Sequence, residues 1–231
     1  MIPSSQYVAV QQAAKQVLSE ISDFISPTST ERSIATFATE RLAQLRFLQT
    51  WYYACPALVL LGSRSCLSIS GRDYKPDTEP VGEINLVTVD LSPCKESFWG
   101  DCARSFVVEN GRVVCTPVDV EFQRGITFVK ELHLQVRSFV TPQTTFGDLY
   151  EFANQQITSG GFENLDFLGN VGHSIAKTLD DREFVEEGNR RALGTVPGFT
   201  FEPHIRKIDS RWGFKHENIY YFNDAGNPTE L

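Results

Sequence analysis

The chain has 231 residues, of which 41% are hydrophobic and 22% are charged, a composition typical of a globular protein with a sizeable core. The formal net charge of -8 and the pI near 5.1 argue against a nucleic-acid partner or binding to an anionic membrane. No run of about 18 apolar residues occurs, so we expect no membrane span.

The cysteines and the N-terminal residues favour a soluble, cytoplasmic protein. The five cysteines form an odd set without a Cys-x-x-Cys pair, which fits reduced thiols better than a disulfide framework or a zinc knuckle. Residues 1–6 lack the basic and apolar regions of a signal peptide, so we expect none.

Helical spacing of apolar residues predicts a helix over residues 4–24 and a second helix that opens at Thr30, with a Pro-containing break between them. Residues 51–61 are apolar and predict a buried strand, and residues 62–80 are rich in loop-forming residues. The second half repeats this outline with helices at 119–139 and after Thr145, followed by short strands near Thr200 and at 218–222. Two similarly built halves sharing a sheet covered by helices on one side indicate an α+β fold.

Residues 84–108 predict a β-hairpin, because two runs rich in β-branched and aromatic residues flank a polar turn that contains Pro93. Each arm carries one aspartate among apolar neighbours, Asp90 in the first arm and Asp101 in the second. Folding the hairpin brings these like charges together, and a divalent cation between them would remove the cost of burying them. Two aspartates near a turn are also common without any metal, as parts of a solvated turn.

Three further residues are candidate ligands, each with a plainer interpretation beside it. His173 lies in a glycine-flanked apolar stretch and could be an ordinary loop histidine. Glu202 follows aromatic residues at a strand end, where an arginine would serve as well as a metal. Glu217 heads an apolar strand and could pair with Lys215. Four carboxylates and one imidazole suit Mn, Co, Fe or Zn, and bridging carboxylates can hold two ions.

The order and context of these five residues resemble the methionine aminopeptidase and prolidase family, the creatinase-like "pita-bread" metallopeptidases of the M24 type. The matching contexts are Val-Asp90, Gly-Asp101-x-x-Arg-x-Phe, Gly-His173-x-Ile, Phe-Thr-x-Glu202-Pro and Glu217 before a β-run. Nearly the whole chain takes part in this resemblance.

The resemblance implies a single pita-bread domain over residues 1–231, with pseudo-symmetric halves of about 1–115 and 116–231 and a curved antiparallel sheet covered by helices. It implies two divalent ions (Mn, Co, Fe or Zn) held by Asp90, Asp101, His173, Glu202 and Glu217, with His173 and Glu202 catalytic and Glu202 as general base. The expected reaction removes an N-terminal residue from a peptide, or cleaves a related small amide, with a metal-bound hydroxide. A homodimer is one open possibility for the oligomeric state.

Two histidines typical of the family are missing. Asp180 stands seven residues after His173, where the family has its second histidine, and residues 65–70 lack the histidine expected in the loop before the hairpin. Those histidines donate hydrogen bonds to the substrate and to the tetrahedral intermediate. Asp180, His204 and Trp51 are the candidates for substrate binding here.

Two other interpretations stay open beside the hydrolase. The chain could be a catalytically impaired or redirected member that binds a peptide or protein or acts on a non-peptide amide, which the missing histidines favour. Alternatively, the metal could be purely structural. Close-lying carboxylates are difficult to retain without a cation, and this argues that the metal centre persists.

Overall fold

The computed structural model describes residues 4–231; residues 1–3, the start of the stretch expected to lack a signal peptide, lie outside the described residues. The four α-helices are α1 (Ser5–Phe24), α2 (Glu31–Gln44), α3 (Val120–Phe139) and α4 (Phe146–Ser159). The strands are β1 (Gln49–Thr50), β2 (Ala57–Leu61), β3 (Ile84–Leu91), β4 (Pro93–Lys95), β5 (Phe98–Trp99), β6 (Cys102–Glu109), β7 (Arg112–Val114), β8 (Phe162–Asn164), β9 (Phe199–Phe201), β10 (His204–Lys207), β11 (Phe214–Lys215), β12 (Asn218–Phe222) and β13 (Pro228–Glu230).

Helices α2 and α4 both begin at a threonine that forms a capping box. The Thr30 hydroxyl accepts a hydrogen bond from the Ser33 N–H at 3.1 Å, and the Ser33 hydroxyl accepts one from the Thr30 N–H at 2.8 Å. Thr145 and Asp148 repeat the arrangement at 3.0 and 2.9 Å. Each box satisfies two N–H groups that a helix end leaves unpaired, so both helices start where the sequence predicts.

The predicted hairpin is confirmed as the centre of a four-stranded antiparallel sheet with the order β2-β3-β6-β7. Strands β3 and β6 pair with Asp90 opposite Ala103 and Leu91 opposite Cys102. The segment that connects them forms β4 and β5, which pair with each other, and β4 also pairs with β1 in a small separate sheet.

The second half contributes two three-stranded sheets, with the orders β13-β12-β9 and β11-β10-β8. The chain at β11 runs beside β6 of the first half: the Glu217 N–H donates to the Ala103 carbonyl at 2.9 Å, and the Lys215 N–H donates to the Ser105 hydroxyl at 2.8 Å. These two hydrogen bonds place the end of β11 beside the hairpin arm that follows Asp101.

Each helix pair covers the strands of its own half. Side chains of α1 and α2, such as Ile21 and Ile34, pack on β2, β3 and β6, and those of α3 and α4 pack on the strands of the second half. Leu86 of β3 and Val107 of β6 pack in the apolar core that α3 and α4 form with the strands of the second half, so the two halves share apolar contacts. Burial of each such Leu, Ile or Val contributes about 1.5–3 kcal/mol, and this packing fixes the sheets relative to the helices.

The strand predicted over residues 51–61 is too long, because only Ala57–Leu61 is extended. Tyr53 and Ala54 adopt positive φ angles of 47° and 56°, and the Cys55 N–H donates to the Tyr52 carbonyl to close a turn. Pro56, which has no N–H to donate, separates this turn from β2. Of residues 51–55 only Cys55 is buried, and Tyr53 and Ala54 are exposed, so the apolar composition of this stretch does not mark a buried strand.

No helix among residues 4–231 is long and apolar enough to cross a membrane. All five cysteines are free thiols, as expected.

A buried carboxylate joins α2 to the loop that follows β2. Glu31 is fully buried, and its carboxylate accepts hydrogen bonds from the Leu61 N–H at 3.0 Å and the Asp77 N–H at 2.9 Å. Arg64 adds two more, at 2.7 and 3.1 Å. These contacts satisfy both oxygens and hold the loop over residues 62–80 against the helix.

We predict that Glu31→Ala lowers the free energy of unfolding by about 3 kcal/mol, at the low end for a buried pair because Arg64 reaches solvent. Urea denaturation measures the change. Glu20→Ala is the matched control, since its pair with Arg41 is on the surface and should contribute about 1 kcal/mol or less. Equal losses in the two variants would contradict the structural role of Glu31.

Candidate metal centre

The structure brings the five predicted ligands to one place at the base of a cavity. Asp90 lies near the end of β3, Asp101 just before β6, Glu202 just after β9, and Glu217 between β11 and β12; His173 comes from the loop that precedes β9. Ligand atoms of Asp101, His173 and Glu217 lie within 4.8 Å of one another, and all three side chains are buried. The Nε2 atom of His173 is 3.3 Å from Asp101 Oδ2 and 3.8 Å from Glu202 Oε1.

The backbone of Asp101 is held by a buried glutamine of α1. Gln11 donates from Nε2 to the Asp101 carbonyl and accepts from the Asp101 N–H through Oε1, both at 2.8 Å. Gln11 is fully buried. The role of Gln11 could not be predicted from the sequence, because a single polar position on an apolar helix face gives no sign of its partner.

The arginine of the Gly-Asp-x-x-Arg motif fixes the other side of the centre. Arg104 donates to the Glu217 carbonyl and to the Asn218 Oδ1 atom, both at 2.6 Å. The guanidinium thus connects the hairpin arm that follows Asp101 to the chain that carries Glu217. Its spacing in the motif reflects this structural role.

The imidazole of His173 is oriented by its own backbone neighbourhood. Its Nδ1 atom lies 3.0 Å from the Ser174 carbonyl oxygen, which can only accept, so Nδ1 carries the proton. When the ring is neutral, as it must be to bind a metal, its Nε2 atom presents a lone pair toward Asp101. A histidine ligand to a metal is commonly oriented through its other nitrogen in this way.

Gly172 allows the loop to approach β9. The His173 N–H donates to the Thr200 hydroxyl at 3.0 Å, and the Thr200 N–H donates to the His173 carbonyl at 2.7 Å. Gly172 has a φ of 153°, and a Cβ there would lie 2.2 Å from the Thr200 carbonyl oxygen. Only glycine fits at this position, which accounts for the glycine that precedes the histidine.

Burial and mutual repulsion disfavour ionisation of the Asp101 and Glu217 carboxyl groups. Burial raises the pKa of the Asp101 carboxyl to about 7, although the His173 imidazole acts in the opposite direction. Burial, together with the charges of Asp101 and Glu202, raises the pKa of Glu217 well above its usual value. For His173, burial alone would lower the pKa, but Asp101 and Glu202 outweigh it and raise the pKa.

One cation of the protein itself reaches into this cluster. The Nζ atom of Lys215 lies 2.6 Å from Asp90 Oδ2, 3.1 Å from Glu202 Oε2 and 3.9 Å from Glu217 Oε2. Burial would lower the pKa of Lys215, yet the charges of Asp90 and Glu202 raise it well above the usual value. From the sequence, Lys215 was expected only as a possible partner of Glu217. Its period-two spacing from Glu217 along the strand was the signal that both side chains share a face.

The cavity above these groups measures about 430 Å³ and has a largely aromatic and aliphatic wall. Trp51 and His204, both predicted to bind substrate, line it, whereas Asp180 is exposed and lies outside the lining. Ser68, Ile69 and Ser70 line it where the family's loop histidine was expected.

Two of the histidines have structural partners. The Nε2 atom of His204 contacts the Ser65 carbonyl at 2.6 Å, and burial lowers the pKa of His204 to about 4. His216 does not line the cavity: its ring packs against His133, with the ring centres 4.5 Å apart.

Arg182 is a cavity residue that the sequence analysis missed. Its guanidinium carbon lies 5.4 Å from the centre of the Trp51 ring and 5.0 Å from that of Phe184. Its Nε atom donates to the Leu179 carbonyl at 3.0 Å, and no carboxylate pairs with it among the described residues. In the sequence Arg182 lies within a run of charged residues of both signs, and such a run most simply predicts a solvated segment.

A family model described as metallopeptidase family M24 matches residues 5–224. The chain belongs to metallopeptidase family M24. No curated protein sequence matches it.

Several solved structures have the same fold as this M24 chain at low sequence identity. The X-Pro aminopeptidase of Thermotoga maritima has a TM-score of 0.80 at 16% identity, over 99% of this chain and 61% of that one. The prolidase of Pyrococcus furiosus gives 0.78 at 16% identity, over 99% and 64%. The methionine aminopeptidase of Thermotoga maritima gives 0.79 at 16% identity, over 99% and 97%.

The chain spans about 61% of the X-Pro aminopeptidase and nearly all of the methionine aminopeptidase. At this identity the likeness shows the fold, and the predicted pita-bread architecture is confirmed.

The raised pKa values of Asp101, His173 and Glu217 predict how the metal-free protein responds to pH. A group with a raised pKa in the folded state contributes stability below its unfolded pKa, and this contribution is lost as the pH rises through the folded pKa. In chelator, the melting temperature of the wild type minus that of Asp101→Asn should therefore fall as the pH rises from about 5 to about 8. Thermal melts across this range measure the difference, and a constant difference would contradict the environment described for Asp101.

Proposed function

We propose that this M24 protein is a metal-dependent hydrolase that cleaves the N-terminal residue from a peptide, or cleaves a related small amide. One observation carries the proposal: Asp101 Oδ2 and both carboxylate oxygens of Glu217 are buried without any hydrogen-bond donor, beside the Nε2 atom of His173. Buried acceptors of this kind are costly unless a cation satisfies them. Three oxygens and one imidazole nitrogen therefore fit a divalent ion.

Asp101, His173 and Glu217 would hold this ion, and Glu202 is close enough to His173 to join them. Carboxylate and imidazole ligands suit Mn, Co, Fe or Zn. When bound, such an ion polarises the substrate carbonyl and lowers the pKa of water in the site. The second ion implied by the resemblance would need Asp90, whose Oδ2 atom contacts Lys215.

Glu202 has the properties that a general base needs. Burial would raise its pKa, but the charges of Lys215 and His173 outweigh this and lower it, so the carboxylate is ionised at neutral pH. Its side chain keeps 24% of its surface exposed, and it lines the cavity. We assign Glu202 the role of accepting the proton of the attacking water.

Arg182 is our candidate for the donor role of the missing family histidines. It lines the same cavity as Glu202 and His173, and its positive charge acts on both of these groups. A guanidinium has five N–H donors and keeps its charge at any physiological pH. It can donate to the substrate carbonyl oxygen as negative charge develops there.

The cavity wall indicates the kind of substrate. Trp51, Tyr52 and Phe184 present aromatic surface above the acidic floor, and Leu67 and Leu168 extend the apolar wall. A site of about 430 Å³ accommodates a small ligand, and a few polar groups beside apolar walls fix its orientation. A short peptide or an amide with an apolar side chain fits this arrangement.

We predict that Mn, Co, Fe or Zn raises the melting temperature of chelator-stripped protein, because an ion that binds only the folded state stabilises it by mass action. The increase should disappear in Asp101→Asn, which removes one ligand charge without changing the side-chain size. Asp180→Asn is the matched control, since Asp180 is exposed and should leave the increase intact. An equal increase in all three proteins would place the ion elsewhere, and no increase with any metal would contradict the proposed function.

We also predict that Arg182→Ala lowers kcat/KM of the metal-loaded enzyme by about 10²-fold, the order expected when a donor to the developing oxyanion is lost. A panel of peptides with varied N-terminal residues, dipeptides and small aryl amides identifies the substrate for the assay. Arg190→Ala is the control, because Arg190 is exposed and outside the cavity lining.

Unchanged kcat/KM in Arg182→Ala would remove Arg182 from the reaction. If no member of the panel is cleaved by loaded wild type while Asp101-dependent metal binding persists, the peptide-binding alternative takes precedence over the hydrolase.

A further inference from the structure

The backbone places Lys215 on the metal side of the strand. Lys215 and Glu217 are two residues apart in an extended stretch, so their side chains point to the same face. The Lys215 and Glu217 N–H groups donate to Ser105 and Ala103 on the neighbouring strand, which fixes this orientation. Since Glu217 faces Asp101 and His173, Lys215 necessarily extends into the same cluster.

The ammonium group of Lys215 has carboxylate partners on several sides. Its Nζ atom lies 2.6 Å from Asp90 and 3.1 Å from Glu202, both within hydrogen-bond distance. The Lys215 side chain is only 16% exposed. The Oδ2 atom of Asp90 is thereby satisfied without a metal, in contrast to Asp101 Oδ2 and both carboxylate oxygens of Glu217, which lack donors.

The position of Lys215 favours one ion over two. Asp90, Asp101, Glu202 and Glu217 supply four negative charges when ionised, against three positive charges from one divalent ion with Lys215 and five from two ions with Lys215. The total charge is therefore one away from balance in either case. A second ion, however, would have to share Asp90 and Glu202 with an ammonium group, and like charges at such short range repel strongly in a buried site.

We propose that the Lys215 ammonium takes the place of the second metal ion, so that the chain binds one divalent ion, held by Asp101, His173 and Glu217. Asp90 then pairs with the Lys215 ammonium group instead of binding a metal ion. This inference rests on the metal-dependent function proposed above and departs from the dinuclear centre that the sequence implies. Lys215 acts as a positioning residue, since it binds the Oε2 atom of Glu202 and leaves Oε1 toward His173.

The experiment counts ions per chain. Wild type, Lys215→Met and Lys207→Met are stripped with chelator, reloaded with excess Mn or Zn, freed of unbound metal, and analysed by native mass spectrometry and elemental analysis. Lys215→Met keeps the length of the side chain and removes its charge. Lys207→Met is the control, because Lys207 is exposed on β10.

We expect one ion in wild type and in Lys207→Met, and two ions in Lys215→Met. The double variant Lys215→Met with Asp90→Asn should return to one ion, because the second ion would depend on the Asp90 carboxylate. Lys215→Arg, which keeps the charge, should also hold one ion and serves as a folded reference if Lys215→Met is unstable.

Two ions in wild type, or one ion in both wild type and Lys215→Met, would overturn the inference while leaving the metal-dependent function intact. Two ions in Lys215→Arg would also overturn it. No ion in wild type would instead overturn the proposed function itself, and the inference with it.

Discussion

The repulsion among four carboxylates that meet beneath one cavity is the constraint on which the rest of this structure depends. Burial makes the ionised forms of Asp101 and Glu217 unfavourable, and each carboxylate makes its neighbours less favourable. The fold tolerates this cluster because positive charge can balance it. Lys215 supplies that charge on the side of Asp90, and the unpaired oxygens of Asp101 and Glu217 mark the side where an ion belongs.

The backbone segments that carry these ligands are held in place by contacts that do not involve a metal. Gln11 fixes the peptide groups of Asp101, Arg104 fixes the chain at Glu217, and Gly172 allows the His173 loop to lie against β9. These three contacts come from a helix, a strand and a loop that are distant in sequence. Ligands held in this way are pre-oriented, which reduces the reorganisation needed when an ion binds.

Much of the fold could be predicted from the sequence because the local signals agree with the tertiary structure. The helices follow apolar periodicity and threonine caps, and the hairpin follows β-branched runs around a proline turn. The strand predicted over residues 51–61 was too long because apolar composition does not show that Tyr53 and Ala54 form a left-handed turn. The segment forms a turn, and only the three-dimensional structure shows this.

The five ligand candidates could be named from the sequence because their order and local contexts are informative. The sequence contexts of the residues around them are not. Gln11 contacts Asp101 across 90 residues of sequence, and Lys215 contacts Asp90 across 125. The first contact depends on how α1 packs on the hairpin and the second on how the two halves meet, and no local pattern encodes either. Arg182 is a similar case: a charge run usually indicates a solvated segment, but Trp51 and Phe184 hold this arginine at the cavity wall.

The departures from the family pattern are consistent with one another when they are considered as changes in charge. Two hydrogen-bond donors that the family resemblance leads one to expect, the histidines, are absent at position 180 and in residues 65–70, and two cationic side chains, Lys215 and Arg182, line the cavity. A fixed ammonium group lowers the need for a second ion, and a guanidinium group beside the cavity can donate to a carbonyl oxygen without a change of protonation. A centre with one exchangeable ion and two permanent cations would depend less on metal supply than one with two ions. Its positive charge would also sit at positions set by the protein's own side chains.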